Sequence, residues 1–180
     1  MEREMEVKIL NEDVTELKKK VLALGAQEEG VEEQINIRLQ NIQNPVDDAL
    51  GYLRLRIAEK KGKTKYEFTF KAKEKTTESK NNMEYTTLVE DPQALLEILK
   101  FMGIEEVSRG TKHREKYSLD GSTFDFDTWD EETYPHPYME IEVTEEGKLE
   151  QLLTALDIAP ENVSTKSIGD LSKEYWESEK

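Results

Sequence analysis

Two glutamate doublets, Glu4-x-Glu6 and Glu140-x-Glu142, supply four carboxylates of the hard-oxygen kind that Mg²⁺ or Mn²⁺ prefers. A second set is cationic. Lys8, Arg54-x-Arg56, Lys71 and Lys112-x-Arg114 offer the forked guanidinium and point-charge ammonium donors that hold phosphate oxygens. Both sets make sense around a metal–polyphosphate complex, whose metal neutralises the acids while its phosphates neutralise the bases. The competing use of the same residues is cross-strand ion pairing on a wetted sheet, which is common and nearly neutral in energy. For any one residue that use is the simpler account; for the set together a ligand site is the better one.

The spacing of two matters because residues i and i+2 of a strand share a face. Glu4, Glu6 and Lys8 oppose Met5, Val7 and Ile9. Arg54 and Arg56 oppose Leu53, Leu55 and Ile57, and Lys71 and Lys73 oppose Phe70 and Ala72. Lys112, Arg114 and Lys116 share a face; Asp125 and Asp127 oppose Phe124 and Phe126; Glu140 and Glu142 oppose Ile141 and Val143. Like charges side by side on a wet face cost slightly, so a ligand is one reason to keep them. Two architectures satisfy the alternation: an open sheet with one wet face, or a closed barrel whose charged faces line the lumen.

The elements that must position these residues follow from hydrophobic period and punctuation. Strands are expected at 4–10, 34–40, 51–58, 63–75, 83–89, 107–117, 122–128 and 138–144. Val14, Leu17, Val21 and Leu24 stripe a helix capped by Asn11 or Asp13 and stopped near Gly25. Asp91-Pro92 opens a second helix through Leu95, Leu96 and Leu99 to Gly103. A third spans about residues 146–156, and a charged fourth starts near Ser167. A Met-Glu strand followed by a Leu-striped helix occurs three times, from Met5, Met83 and Met139.

Composition bounds the rest. The 180 residues fit a single domain, 1–180, with 40 Asp+Glu against 25 Lys+Arg and a net charge of −15. Leu, Ile, Val and Phe make up about 23% of the chain, just above the range of disordered, highly charged sequences. The acidity argues against nucleic-acid binding, which needs a basic excess. The sequence has no apolar run long enough for a membrane span and no signal-like start. Zero cysteine removes disulfides and thiolate chemistry and fits a cytoplasmic location.

With these residues in place, a family resemblance emerges. Glu4-Met5-Glu6-Val7-Lys8 resembles the ExExK signature of the CYTH superfamily, the triphosphate tunnel metalloenzymes. Arg54-Leu55-Arg56, Thr69-Phe70-Lys71, Glu84, Lys112-His113-Arg114, Asp125/Asp127 with Glu140-Ile141-Glu142, and Lys166-Ser167 follow in the family's order. The resemblance implies an α+β fold: a closed eight-stranded antiparallel barrel with helices packed outside. It implies that Glu4, Glu6, Glu140 and Glu142 hold a divalent metal, Mg²⁺ or Mn²⁺, with Asp127 assisting. It implies that Lys8, Arg54, Arg56, Lys71, Lys112, Arg114 and Lys166 hold phosphates, with Glu84 in the substrate-binding set and Glu4 and Lys8 central to catalysis. The partner is then a small-molecule triphosphate; some relatives form homodimers, though no feature here forces one.

The chain departs from the family pattern at Thr86 and Asn82, where acidic and arginine residues are usual, and at Ile168, where an aromatic is usual. Its stretch WDEETYPHPY, residues 129–138, resembles a subgroup often labelled class IV adenylyl cyclase-like. Three functions stay open on sequence: hydrolysis of a triphosphate (tripolyphosphate, thiamine triphosphate or a nucleoside triphosphate), cyclisation of ATP to cyclic AMP with release of pyrophosphate, and capture of polyphosphate or nucleotide without turnover. Gly62-Lys63-Thr64 lacks the first glycine of a P-loop and reads as a hairpin turn. The basic run from Lys60 to Lys75 reads as a solvated hairpin tip, and His113 and His136, too isolated for a zinc site or a triad, as structural or exposed residues. Trp129, Tyr134 and Tyr138 anchor a loop in preference to stacking on a base.

Overall fold

The computed structural model describes residues 2–47, 50–73, 81–145 and 147–179, with the side chains of residues 2–4, 73, 81 and 82 outside that description. The chain forms two compact units, residues 1–3 with 32–111 and residues 4–31 with 112–180. Two of the three boundaries fall inside the long strands β2 (Gln27–Asn41) and β6 (Ile104–Leu119), and the third near the start of the first strand.

In the first unit the strand order is β5 (Asn81–Leu88), β4 (Lys63–Lys73), β3 (Gly51–Lys60), β2, β6. β5 also pairs with β1 (Glu2–Ile9), whose first residues belong to this unit. β3 and β4 join through Lys61-Gly62, both at positive φ (52° and 72°), the geometry of a two-residue hairpin turn. The apolar face carries Ile37, Leu39 and Leu55, buried against Leu95, Leu96 and Leu99 of α2 (Pro92–Phe101). Asp91 caps that helix by accepting from the Ala94 amide, and Pro92 takes the first helical position, as the sequence signature predicts.

In the second unit β6 pairs with β7 (Ser122–Trp129), then β8 (Tyr138–Val143), β1 and the two-residue β9 (Val163–Ser164). Val7, Ile9, Phe124, Phe126, Ile141 and Val143 bury their side chains against α1 (Val14–Ala23) and α3 (Lys148–Ala155). A smaller cluster joins Tyr134, Tyr138 and Leu171, the last on α4 (Ile168–Ser178). Ser167 and Asp170 form a reciprocal capping box at the start of α4.

The α+β class and the antiparallel sheet agree with expectation. There are nine strands among the described residues where eight were expected; β9 is too short to carry an alternation signal. β2 begins at Gln27, seven residues before its expected start, because QEEGVEE is mostly exposed and has no apolar side to announce it. β6 similarly starts at Ile104, and β4 is described to Lys73, so the expected Glu74 and Lys75 lie outside the described residues. No helix among the described residues is long and apolar enough to cross a membrane.

Candidate functional site

Strand register assembles a charged layer on the second unit. β1, β8, β7 and β6 align Lys8↔Glu140, Glu140↔Asp125 and Asp125↔Lys116, with Glu6↔Glu142 one step along and Arg114↔Asp127 on the other side. The opposite face of the same strands is the apolar core. Alternation alone therefore turns every one of these charges to one side.

Arg114 is the hub of this layer. Its Nε and Nη2 donate to the two oxygens of Asp127 at 2.6 Å each, Nη2 also reaches Glu140 at 2.6 Å, and Nη1 reaches Asp125 at 2.5 Å. Lys112 donates to Asp127 at 2.8 Å and Lys8 to Glu140 at 2.9 Å. The network is out of water: Lys8, Lys112, Asp125 and Asp127 are only 5%, 4%, 3% and 1% exposed. Burial works against the Arg114 charge, but Asp127, Glu140 and Asp125 outweigh it and raise its affinity for the proton further. Burial likewise works against ionised Glu140, yet Lys8, Arg114 and Lys112 hold its carboxyl well below the usual carboxylate range. Asp125 and Glu142 go the other way. Burial raises both, and neighbouring acids add to it: Asp127 and Glu140 around Asp125, Asp125 and Glu6 around Glu142.

The aromatic end of this layer holds its lysines. Tyr138 Oη accepts from Trp129 Nε1 at 2.9 Å, the Lys112 ammonium lies 5.2 Å from the Trp129 ring centre, and the Lys8 ammonium 6.0 Å from that of Tyr138. His136 meets Tyr134 and Tyr175 edge-on, so this loop is anchored by ring contacts as expected.

The first unit carries a second charged face, on β2, β3, β4 and β5. Lys71 pairs with Glu84 at 2.9 Å, Arg54 approaches Glu84 at 3.6 Å, and Arg56 approaches Glu67 at 3.7 Å. Arg56 Nε donates to Asn36 at 3.1 Å, and Arg38 lies 5.1 Å over the Tyr52 ring. Burial opposes the Glu84 charge, but Lys71 and Arg54 lower its pKa. Arg54 Nε is buried with no hydrogen-bond acceptor, a donor still wanting a partner. Gly51 sits opposite Ala72 at φ 142°, and a Cβ there would run into the Lys71 carbonyl oxygen; only glycine lets β3 approach the backbone of Lys71 this closely.

These placements bear unevenly on the residues expected from sequence. Lys8, Lys112, Arg114, Asp127 and Glu140 come together in one network, and Glu6 and Glu142 meet beside it. Arg54, Arg56, Lys71 and Glu84 come together on the first unit. Glu4 lies in β1, with its side chain outside the described residues. Lys166 is about half exposed and pairs with Glu174 of α4 at 2.7 Å. Glu67 and Asn36 belong to these faces but were not singled out from sequence; cross-strand register, which sequence alone does not give, places them, and it brings Asp125, expected on a charged face with Asp127, onto Arg114.

The acidic donors fit a divalent cation only in part. Among the described residues no three His, Asp or Glu side chains are grouped closely enough to hold a metal ion. Asp127 and Glu140 are engaged by Arg114 and the lysines; Glu6 and Glu142 face one another across β1 and β8, a cross-strand pair of hard-oxygen donors of the kind a divalent ion takes. Burial is the first cause of the raised Glu142 pKa; Lys116 opposes it, and Asp125 and Glu6 add to it.

The CYTH domain family model matches residues 2–167. The PH1819 protein of Pyrococcus horikoshii OT3 superposes with a TM-score of 0.80 at 25% identity, over 96% of this chain and 99% of that one. A candidate adenylate cyclase from Vibrio parahaemolyticus has the same fold at 14% identity, with a TM-score of 0.74 over 92% and 95% of the two chains. The Hippeastrum protein HpAC1, a candidate adenylyl cyclase described as having a dominant triphosphatase activity, does so at 17% identity, with a TM-score of 0.66 over 93% and 91%. No curated protein matches the sequence.

Proposed function

We propose that this chain, which belongs to the CYTH domain family, hydrolyses a small triphosphate compound with a divalent metal, Mg²⁺ or Mn²⁺. Members of the family are typically enzymes, triphosphatases or cyclase-like proteins, and its tunnel enzymes generally use divalent metals. The observation that carries the proposal is the buried Lys8–Glu140–Arg114–Asp127–Lys112 network. It holds three cations side by side out of water, on carboxylates that a polyphosphate can replace.

In this reading Lys8, Lys112 and Arg114 exchange carboxylate for phosphate oxygens and stabilise charge on the reacting and leaving phosphates. Arg54, Arg56 and Lys71 serve as further phosphate donors, and the orphaned Arg54 Nε supports that role. Glu6 and Glu142 hold the divalent ion, with Glu4 proposed beside them from the sequence; Asp127 and Glu140 become available as their cations turn to phosphate. The ion, when bound, supplies Lewis acidity toward water and phosphate oxygen.

A substrate panel tests the proposal. Tripolyphosphate, thiamine triphosphate and ATP are incubated with Mg²⁺ or Mn²⁺, and orthophosphate, pyrophosphate and cyclic AMP are measured. Orthophosphate release abolished by Glu142→Gln with Lys8→Met is the expected result. Cyclic AMP with pyrophosphate would replace hydrolysis by cyclisation, and binding without any product would leave a capture module.

A further inference from the structure

The charged face of the first unit does not stop at Arg56. The register continues through Arg56↔Glu67, Ala58↔Lys65 and Lys60↔Lys63 to the hairpin tip, so Lys60, Lys63 and Lys65 fall on the same side of the sheet as Arg54 and Arg56. A groove of about 290 Å³ lies there, bordered by Lys60, Lys61, Lys63, Lys65, Glu32 and Glu67. Ala58 lines it between Arg56 and Lys60, where a longer side chain would fill it.

The charge in this groove is unusual for the chain. Acidic residues outnumber basic ones 40 to 25 overall, yet within 60–65 four of six residues are lysine and none is acidic. Lys60 and Lys63 stand directly opposite one another, a like-charge pairing that a hairpin gains nothing by keeping. The nearby Glu67 is turned to Arg56 at 3.7 Å and Glu32 hydrogen-bonds Gln34. The four lysines thus form a cationic groove whose own acidic neighbours are occupied.

We propose that this groove is a subsite for the extension of a linear polyphosphate, so that the proposed phosphatase prefers chains longer than tripolyphosphate. The inference rests on the proposed function and deepens it. Arg54 and Arg56 hold the part of the chain nearest Lys71, and Lys60, Lys63 and Lys65 hold phosphoryl groups beyond it. Four strand steps lead from Arg56 to Lys60, about 13 Å along the face, which is room for several further phosphates.

The test compares KM for orthophosphate release from tripolyphosphate and from a linear polyphosphate of several tens of units, per molecule of chain and with saturating Mg²⁺ or Mn²⁺. Dissociation constants measured in chelator, without turnover, provide a second readout. Three screened surface contacts predict a longer chain bound about tenfold tighter, with the advantage shrinking as salt is raised. In Lys60→Gln/Lys63→Gln/Lys65→Gln the advantage should vanish while tripolyphosphate constants stay unchanged. The single charge reversal Lys63→Glu should diminish it and provides a check with minimal disturbance of the hairpin. Equal constants for both chains in the wild type, or equal loss for both in the triple variant, would overturn the subsite and leave the phosphatase reading intact. An equal advantage for heparin as competitor, undiminished by polyphosphate length, would also overturn it, as general attraction for polyanions. If neither phosphate chain is bound or hydrolysed, the proposed function itself fails and the subsite falls with it.

Discussion

Arg114→Met removes the one cation that three buried carboxylates share while keeping most of its aliphatic volume. Asp127, Glu140 and Asp125 lose contacts of 2.5–2.6 Å and keep Lys112, Lys8 and Lys116 respectively as cationic neighbours. Breaking a buried ion pair on one side costs about 3–5 kcal/mol because the partner charge stays buried, and here three partners share the loss. The pH dependence distinguishes this cause from lost packing. In the native protein Glu140 has a folded-state pKa below its unfolded value, so its stabilisation is present above the ordinary carboxylate range. It is lost as pH falls through the depressed value. Without Arg114 the carboxyls titrate higher than before, and any that pass their unfolded values favour the folded state when protonated. The stability gap between the two proteins should therefore be widest near pH 7 and narrow as pH falls below the ordinary carboxylate range toward the depressed Glu140 value. Urea denaturation at a series of pH values, followed by tryptophan fluorescence and by circular dichroism, measures it. A gap below about 1 kcal/mol at pH 7, or one of constant size across that range, would refute the electrostatic account.

Three further outcomes follow from the same geometry. Glu142→Gln removes a carboxylate that its surroundings disfavour as an anion, so the metal-free protein should melt at the same temperature or higher. Its Mn²⁺-induced thermal shift should fall; an unchanged shift would remove Glu142 from the metal donors. Gly51→Ala places a Cβ against the Lys71 carbonyl at a φ of 142° and should cost about 1–3 kcal/mol in chemical denaturation. A loss within 0.5 kcal/mol, the range of an ordinary surface change, would show that β3 can move away freely. Tyr138→Phe keeps the ring beside Lys8 but leaves Trp129 Nε1 without its acceptor and should cost about 1–3 kcal/mol, together with a raised KM for tripolyphosphate as the untethered Trp129 ring no longer holds Lys112 in place. Stability loss with unchanged KM would make the pair purely structural.

How much of this was legible depended on whether one strand face was buried. β1, β3, β7 and β8 each set a charged side against an apolar one, and their positions were readable to within one or two residues. Residues 27–33 of β2 are mostly exposed, so only backbone pairing marks them as strand. The site divides similarly. Glu140 and Arg114 could be placed on a common face from spacing, but that one guanidinium reaches Asp125, Asp127 and Glu140 together depends on the register of three strands. Lys166 shows the limit from the other side: its position before α4 matched the motif, while its side chain turned along the helix to Glu174, and no spacing rule sets that direction.

A network of buried ion pairs is poor evidence of stability, since apolar residues of the same volume often serve a fold as well or better. The second unit already has an apolar core on the other face of these strands, so the charged layer is not needed to hold it together. Its composition is better accounted for by exchange. Asp127 and Glu140 stand where anionic oxygens can satisfy Arg114, Lys112 and Lys8, and a phosphate chain offers the same oxygens with more charge. The carboxylates keep the cations extended and ordered before a ligand arrives, which lowers the entropic cost of gathering them around it. Substituting Asp127→Asn should on this account weaken that ordering without removing a phosphate contact. Affinity for tripolyphosphate should then fall through a less favourable binding entropy in calorimetry, whereas a purely enthalpic loss would mean that Asp127 acts on the ligand directly.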